Sequence, residues 1–148
     1  HMSTDSQIQT TVIEQASAEI AEQLNNLLVQ LSPESRVEQG RLERIISSDT
    51  AGIIVAKDGD KIVGMATLNV IQKLAESKAE LEDFVVDADQ RGKGVASILW
   101  DSVIDWCRQK EVENLEFTSR PARQAAQQFY SKMGAEIRDT NFFRYKIK

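Results

Sequence analysis

Glu82-Asp83-Phe84-Val85-Val86-Asp87-Ala88-Asp89-Gln90-Arg91-Gly92-Lys93-Gly94-Val95-Ala96 is the stretch that decides how this chain is read. An apolar strand runs into a turn holding two glycines, and the turn opens directly into a long helix beginning near Val95. Without a Cβ, Gly92 and Gly94 can take positive φ and let a ligand approach the backbone N–H groups. At a helix start those groups lack intrahelical partners and carry the positive end of the macrodipole. Such a turn suits a phosphate. The plainer reading is a strand-to-helix turn that uses glycine only for its shape. A dinucleotide site fits poorly. Gly92-Lys93-Gly94 begins a GxG pattern, but Ser97 stands at the third glycine position and an antiparallel hairpin precedes the motif.

Outward from this turn the chain reads as alternating strands and helices. Gln9 to Glu14 is a first strand, and Ser17 caps a helix whose Ile20, Leu24, Leu27, Leu28 and Leu31 recur at helical spacing. Ser32-Pro33 suits the start of a second helix carrying Val37, Leu42, Ile45 and Ile46. Gly52 to Ala56 and Lys61 to Val70 form a hairpin around Asp58-Gly59-Asp60, Glu76 to Lys78 is a loop, and Ala79 to Asp87 is the next strand. A helix from Val95 to about Lys110 has apolar residues on two sides, which predicts that it is covered on more than one face. Asn114 to Thr118 is a fifth strand. Pro121 opens a helix that Gly134 ends, and Ala135 to Lys148 alternates enough for two more strands. The predicted order is β-α-α-β-β-β-α-β-α-β-β: a single α/β domain over residues 3–148, with a mixed, mostly antiparallel sheet of about seven strands and helices on both faces.

Composition narrows the chemistry. The chain has 148 residues, 41% of them hydrophobic, which suits one domain with a real core. His1-Met2 resembles the remnant of a cleaved tag, and His1 is the only histidine. Imidazole-dependent catalysis and His-ligated metal sites are thereby excluded, and no metal is expected. Cys107 is the only cysteine and lies in an apolar stretch, which favours a buried structural thiol and a reducing cytoplasm. No apolar run is long enough for a bilayer. The net charge of −5 argues against nucleic acid and leans toward a cationic substrate.

Arg91-x-x-Gly94-x-Ala96 resembles the (Gln/Arg)-x-x-Gly-x-(Gly/Ala) signature of the GNAT superfamily of N-acetyltransferases. Phe84-Val85-Val86-Asp87 looks like that family's fourth strand, and Gln127-Gln128-Phe129-Tyr130-Ser131-Lys132-Met133-Gly134 looks like its FYxKxG helix end. The glycine pattern alone is loose; its combination with Phe129-Tyr130 one strand and one helix later is far more specific. The order of elements agrees from Thr10 onward, and the run Thr118 to Arg123, with Thr140-Asn141-Phe142-Phe143-Arg144 later, is similar to a bacterial subgroup.

The resemblance implies acetyl-coenzyme A as cosubstrate and a small-molecule amine as acceptor, with a homodimer possible through the C-terminal strands. It implies that the backbone of Phe84, Val85 and Val86 pairs with the pantetheine arm and that one N–H there polarises the thioester carbonyl. The backbone of Arg91, Gly92, Lys93, Gly94, Val95, Ala96 and Ser97 would cradle the pyrophosphate. Tyr130 matches the tyrosine that assists the departing thiolate, and Glu82 is the first candidate base, with Asp83 taking that role if the strand bulges. Arg123 stands where relatives often carry an asparagine that contacts pantetheine, and Ala135 where an aromatic is usual. The acceptor pocket is expected between Leu28–Gln39 and the loop near Asp139 to Phe142. Other readings are acetylation of a protein amine, or a non-catalytic acyl-coenzyme A sensor that shares every backbone feature but needs neither Tyr130 nor the acids.

Overall fold

The computed structural model describes residues 7–148, so His1-Met2, expected to be a tag remnant, lies outside the described residues. The backbone forms two compact units, one running to Phe117 and the other spanning Thr118–Lys148. The first holds β1 (Ile8–Val12), α1 (Ala18–Leu31), α2 (Gln39–Ile46), β2 (Ala51–Asp58), β3 (Lys61–Gln72), β4 (Ser77–Val86), α3 (Val95–Gln109) and β5 (Asn114–Glu116). The second holds α4 (Gln124–Lys132).

The sheet order is β1-β2-β3-β4-β5. The first four strands pair antiparallel, and β5 joins β4 in parallel. On one face, Ile53, Val55, Met65 and Val85 pack with Leu24, Leu27 and Leu28 of α1 and Leu42 of α2. The other face meets α3. A Cβ on Gly64 would lie 3.4 Å from Leu99, so α3 packs closely over β3 there. Helices therefore cover both faces, and α3 is buried at Leu99, Trp100, Val103, Trp106 and Cys107. Burial pushes the Cys107 thiol up, as suits a structural residue. Among the described residues no helix is long and apolar enough to cross a membrane.

Local chemistry explains most boundaries. Ser17 accepts a hydrogen bond from the Ile20 N–H at 3.1 Å, starting α1 as expected. The second helix begins at Gln39 rather than at Ser32-Pro33. The Asn25 side chain brackets Val37, accepting from its N–H and donating to its carbonyl. Those two bonds hold the backbone of Val37 out of a helix and outweigh the local Ser-Pro signal. Similarly, Pro121 sits in a turn, and α4 starts three residues later at Gln124. Strand β4 begins at Ser77, inside the expected loop, because Ser77 and Lys78 pair with Gln72 and Ile71.

The largest correction concerns the C-terminus. Residues 135–148 form no strand, so the described residues hold five strands rather than seven, and the two final strands of the predicted order are absent. Alternation makes a segment capable of being a strand, but a strand exists only where a neighbour supplies hydrogen bonds. Phe142, Phe143, Tyr145 and Ile147 remain exposed here.

Removing the Asn25 bracket by Asn25→Ala should cost about 1–3 kcal/mol, from two net hydrogen bonds and the groups left unmet. Urea unfolding would measure it. An unchanged midpoint would show that the bracket does not set the start of α2.

Candidate active site

Strand β4 is the spine of the site. It pairs with β5 only through Lys78, Ala79 and Glu80, opposite Asn114, Leu115 and Glu116. Beyond Glu80, β4 continues to Val86 while β5 has ended, so among the described residues Leu81–Val86 pairs with β3 and not with β5. The two strands thus part in the direction of the glycine turn. At the closed end, Lys78 and Glu116 form an ion pair at 2.6 Å. This contact and the neighbouring Glu80 and Glu76 raise the Lys78 ammonium above its ordinary range, although partial burial opposes them. On the α3 face, the Trp100 ring lies between Phe84 and Phe117, with edge-on contacts at centroid distances of 6.3 and 5.9 Å. The indole therefore spans the two diverging strands. Trp100 and Phe117 were not among the sequence-derived site residues; the only signal was the second apolar side of the helix.

The strand also bulges. Glu82 pairs with Thr67 and Val85 with Met65, so Asp83 and Phe84 together face the single residue Ala66. Asp83 sits at φ 51°, in the left-handed region, which aspartate tolerates better than most residues. In a regular strand, residues three apart lie on opposite faces. The extra residue instead puts Glu82 on the α1/α2 face with Val85, while Phe84 turns to Trp100 on the other. Partial burial raises the Glu82 carboxyl above the usual range, with further contributions from the charges of Asp83 and Glu80.

Past β4, the chain makes a single 3₁₀ turn, Ala88–Gln90, whose first N–H donates to Gln30 of α1 at 2.9 Å. Gly92 and Gly94 then take φ of 80° and 79°, and Gly94 is the N-cap of α3. No side chain caps this helix. The first intrahelical bond runs from the Ile98 N–H to the Gly94 carbonyl, so the N–H groups of Val95, Ala96 and Ser97 precede it. A Cβ added at Gly92 or Gly94 would meet nothing within 4 Å. The space in front of the turn is open, and Arg91 and Lys93 are exposed beside it. These features fit a diphosphate: uncapped donors, helix polarity and access. The first unit accordingly holds Glu82, Asp83, Phe84, Val85, Val86 and all of Arg91–Ser97.

The second unit carries the remaining candidates. Tyr130 lies on α4, is buried, and meets the Phe129 ring edge-on at 5.7 Å. Burial pushes its phenol up, while the positive charge of Arg123 pulls it partly back. Arg123 is the N-cap residue of α4 but makes no side-chain capping bond; a guanidinium has no acceptor to offer. Ser119, in the segment leading to α4, has a buried hydroxyl with no hydrogen-bond partner among the described residues. Nothing in the sequence marked it. Among the described residues no cluster of His, Cys, Asp and Glu is arranged to hold a metal.

Residues 19–135 match the model of the "Acetyltransferase (GNAT) family". An L-2,4-diaminobutyric acid acetyltransferase from Marinococcus halophilus is 33% identical over 87 residues, covering 59% of this chain and 49% of that protein. Its counterpart from Shouchella clausii is 32% identical over 80 residues, covering 54% and 44%. The chain thus spans about half the length of the curated relatives it matches. Among solved structures, the aminoglycoside acetyltransferase meta-AAC0020, from an uncultured soil metagenomic sample, superposes with a TM-score of 0.86 at 18% identity. That match covers 99% of this chain and 100% of the other, and it shows a shared fold.

Gly94→Ala should introduce left-handed strain of about 1–2 kcal/mol at the start of α3 and lower the melting temperature. It should also weaken acetyl-coenzyme A binding in calorimetry. Full retention of both properties would show that the turn does not need this backbone shape.

Proposed function

The chain belongs to the acetyltransferase (GNAT) family, and on that premise we propose that it transfers an acetyl group from acetyl-coenzyme A to a primary amine by direct attack. The observation that carries this reading is the stretch of β4 that runs on past its pairing with β5 and leads into the uncapped start of α3. An amide-bearing arm can add to that edge as an extra strand, with its diphosphate at the N–H groups of Val95–Ser97. Acetyl-coenzyme A supplies an activated thioester carbonyl. The N–H groups of Phe84–Val86 are the donors suited to hold its oxygen as charge develops there.

Glu82 takes a proton from the acceptor's ammonium group, directly or through one water, leaving an amine able to attack. A bulge is expected to pass the role to Asp83, but Glu82 keeps its register opposite Thr67 ahead of the bulge and so stays on the α1/α2 face, where the acceptor pocket is proposed. Tyr130 serves the other end of the reaction. An ordinary phenol near pKa 10 is a weaker acid than a thiol near 8.5. Burial pushes Tyr130 higher still, so it stays protonated and stabilises the departing thiolate chiefly as a hydrogen-bond donor.

A small cationic acceptor suits the charge distribution. Residues 1–117 carry 11 Lys and Arg against 21 Asp and Glu, a net of −10. Such a field concentrates cations. The matched relatives are named for L-2,4-diaminobutyric acid and aminoglycosides, both of which carry amino groups. The proposed setting is the bacterial cytoplasm.

Thiol release across a panel of diamines, amino sugars and amino acids tests the assignment. Tyr130→Phe should cut turnover by about tenfold or more while leaving acetyl-coenzyme A affinity nearly unchanged. Tight cofactor binding without turnover on any amine would make the protein a sensor instead. The pH profile tests Glu82 separately. A base must be deprotonated, so turnover should fall as pH drops through a carboxyl pKa above the ordinary value of about 4.3. Glu82→Gln should lower kcat and abolish that acidic limb; an unaltered profile would move the base elsewhere.

A further inference from the structure

We propose that Gln30 of α1 is a positioning residue for the glycine turn: its carboxamide holds the backbone just ahead of the turn and so sets the direction of the N–H groups offered to the diphosphate. The inference rests on the acetyltransferase reading and adds to it a residue outside the turn itself. Gln30 lies in the last turn of α1, 58 residues before Ala88 in the sequence. Its Oε1 accepts from the Ala88 N–H at 2.9 Å, and its Nε2 donates to the Asn26 carbonyl, one turn back on the same helix, at 3.2 Å. Both ends of the carboxamide are engaged, so the acceptor is presented to Ala88 in one place.

The neighbouring amides show what this bond completes. The Asp87 N–H donates to the Val63 carbonyl at 2.8 Å, which extends the ladder between β3 and β4 by one rung. Ala88 donates to Gln30, and Asp89 to the Asp87 carboxylate at 3.1 Å. Gln90 and Arg91 donate to the carbonyls of Asp87 and Ala88 at 2.9 and 3.4 Å. Every amide from Asp87 to Arg91 thus has an acceptor. From Gly92 to Ser97 none has one among the described residues. The chain passes from bonded to open amides between Arg91 and Gly92. Of the five bonds ahead of that boundary, only the one to Gln30 reaches a helix.

Gln30 and Ala88 are both exposed, so water can replace the glutamine oxygen with little loss of stability. What water does not replace is direction. Open amides bind an anion well only when they already converge on it, and a fixed approach to the turn supplies that preorganisation. Gln23 offers an internal control. It lies seven residues earlier, two turns back and on the same stripe of α1, and its Oε1 accepts from the Ile62 N–H at 2.8 Å. The bond is of the same kind, but it ties α1 to β3 rather than to the approach of the turn.

The test compares acetyl-coenzyme A, measured by calorimetry, with S-acetylpantetheine, which carries the thioester arm but no diphosphate, measured by amide chemical-shift titration of the full chain. Gln30→Ala should weaken acetyl-coenzyme A about two- to tenfold, the range one hydrogen bond gives. Its affinity for S-acetylpantetheine and its Tm should stay close to those of the unsubstituted chain. Gln30→Glu keeps an acceptor for the Ala88 N–H and should restore binding of acetyl-coenzyme A in high salt, which screens the added charge. Gln23→Ala should lower Tm and leave both affinities alone. Unchanged binding in Gln30→Ala, equal weakening of both ligands, a Gln30→Glu variant as weak as Gln30→Ala, or the same loss in Gln23→Ala would each overturn the positioning role and leave the acetyltransferase reading standing. Failure of the unsubstituted chain to bind acetyl-coenzyme A would overturn both.

Discussion

A parallel strand pair that ends after three residues is the constraint on which the rest of this structure depends. Had β5 run the full length of β4, every N–H and C=O of Leu81–Val86 on that side would have been consumed by the sheet. Instead β5 stops at Glu116, and the part of β4 that leads to the glycine turn is not paired by β5. Both ends of the opening are maintained. The Lys78–Glu116 pair ties the strands where they still run together. Being partly exposed, that pair is worth at most about 1 kcal/mol, so its role is geometric rather than energetic. At the open end the Trp100 ring occupies the space between Phe84 and Phe117 on the α3 side.

The bulge at Asp83 adds the second requirement, a division of labour between the two faces of the sheet. One extra residue reverses the alternation, so Glu82 and Val85 share the α1/α2 face while Phe84 reaches Trp100. A left-handed aspartate costs about 1 kcal/mol relative to a regular strand position. In return an ionisable group stands on the face opposite the aromatic wedge. Acid and wedge are thus sorted by backbone geometry, not by side-chain choice.

Much of this was legible in the sequence where the cause is local. The Ser17 cap, the hairpin at Asp58-Gly59-Asp60 and the turn at Gly92 and Gly94 each rest on a residue whose own chemistry fixes its backbone. What escaped depends on distant partners. The start of α2 is set by Asn25, which reaches across to Val37. The length of β5 depends on where two strands part, and nothing in Asn114 to Thr118 announces an end at Glu116. A bulge near Asp83 entered only through the family resemblance, since the left-handed region is just one of the options open to an aspartate. Residues 135–148 alternate like strands, yet none of them forms a strand among the described residues. The opposed charges of residues 1–117 and 118–148 stood in the sequence throughout, but the whole-chain value of −5 averages them away.

Backbone groups, not side chains, do the binding in this account, so amide hydrogen exchange probes it most directly. Exchange of the full chain should be followed with and without saturating acetyl-coenzyme A. The account predicts slowed exchange at Phe84–Val86 and at Val95–Ser97, with the far strands β1 and β2 unchanged. Slowing elsewhere, with both of those segments unaffected, would contradict it.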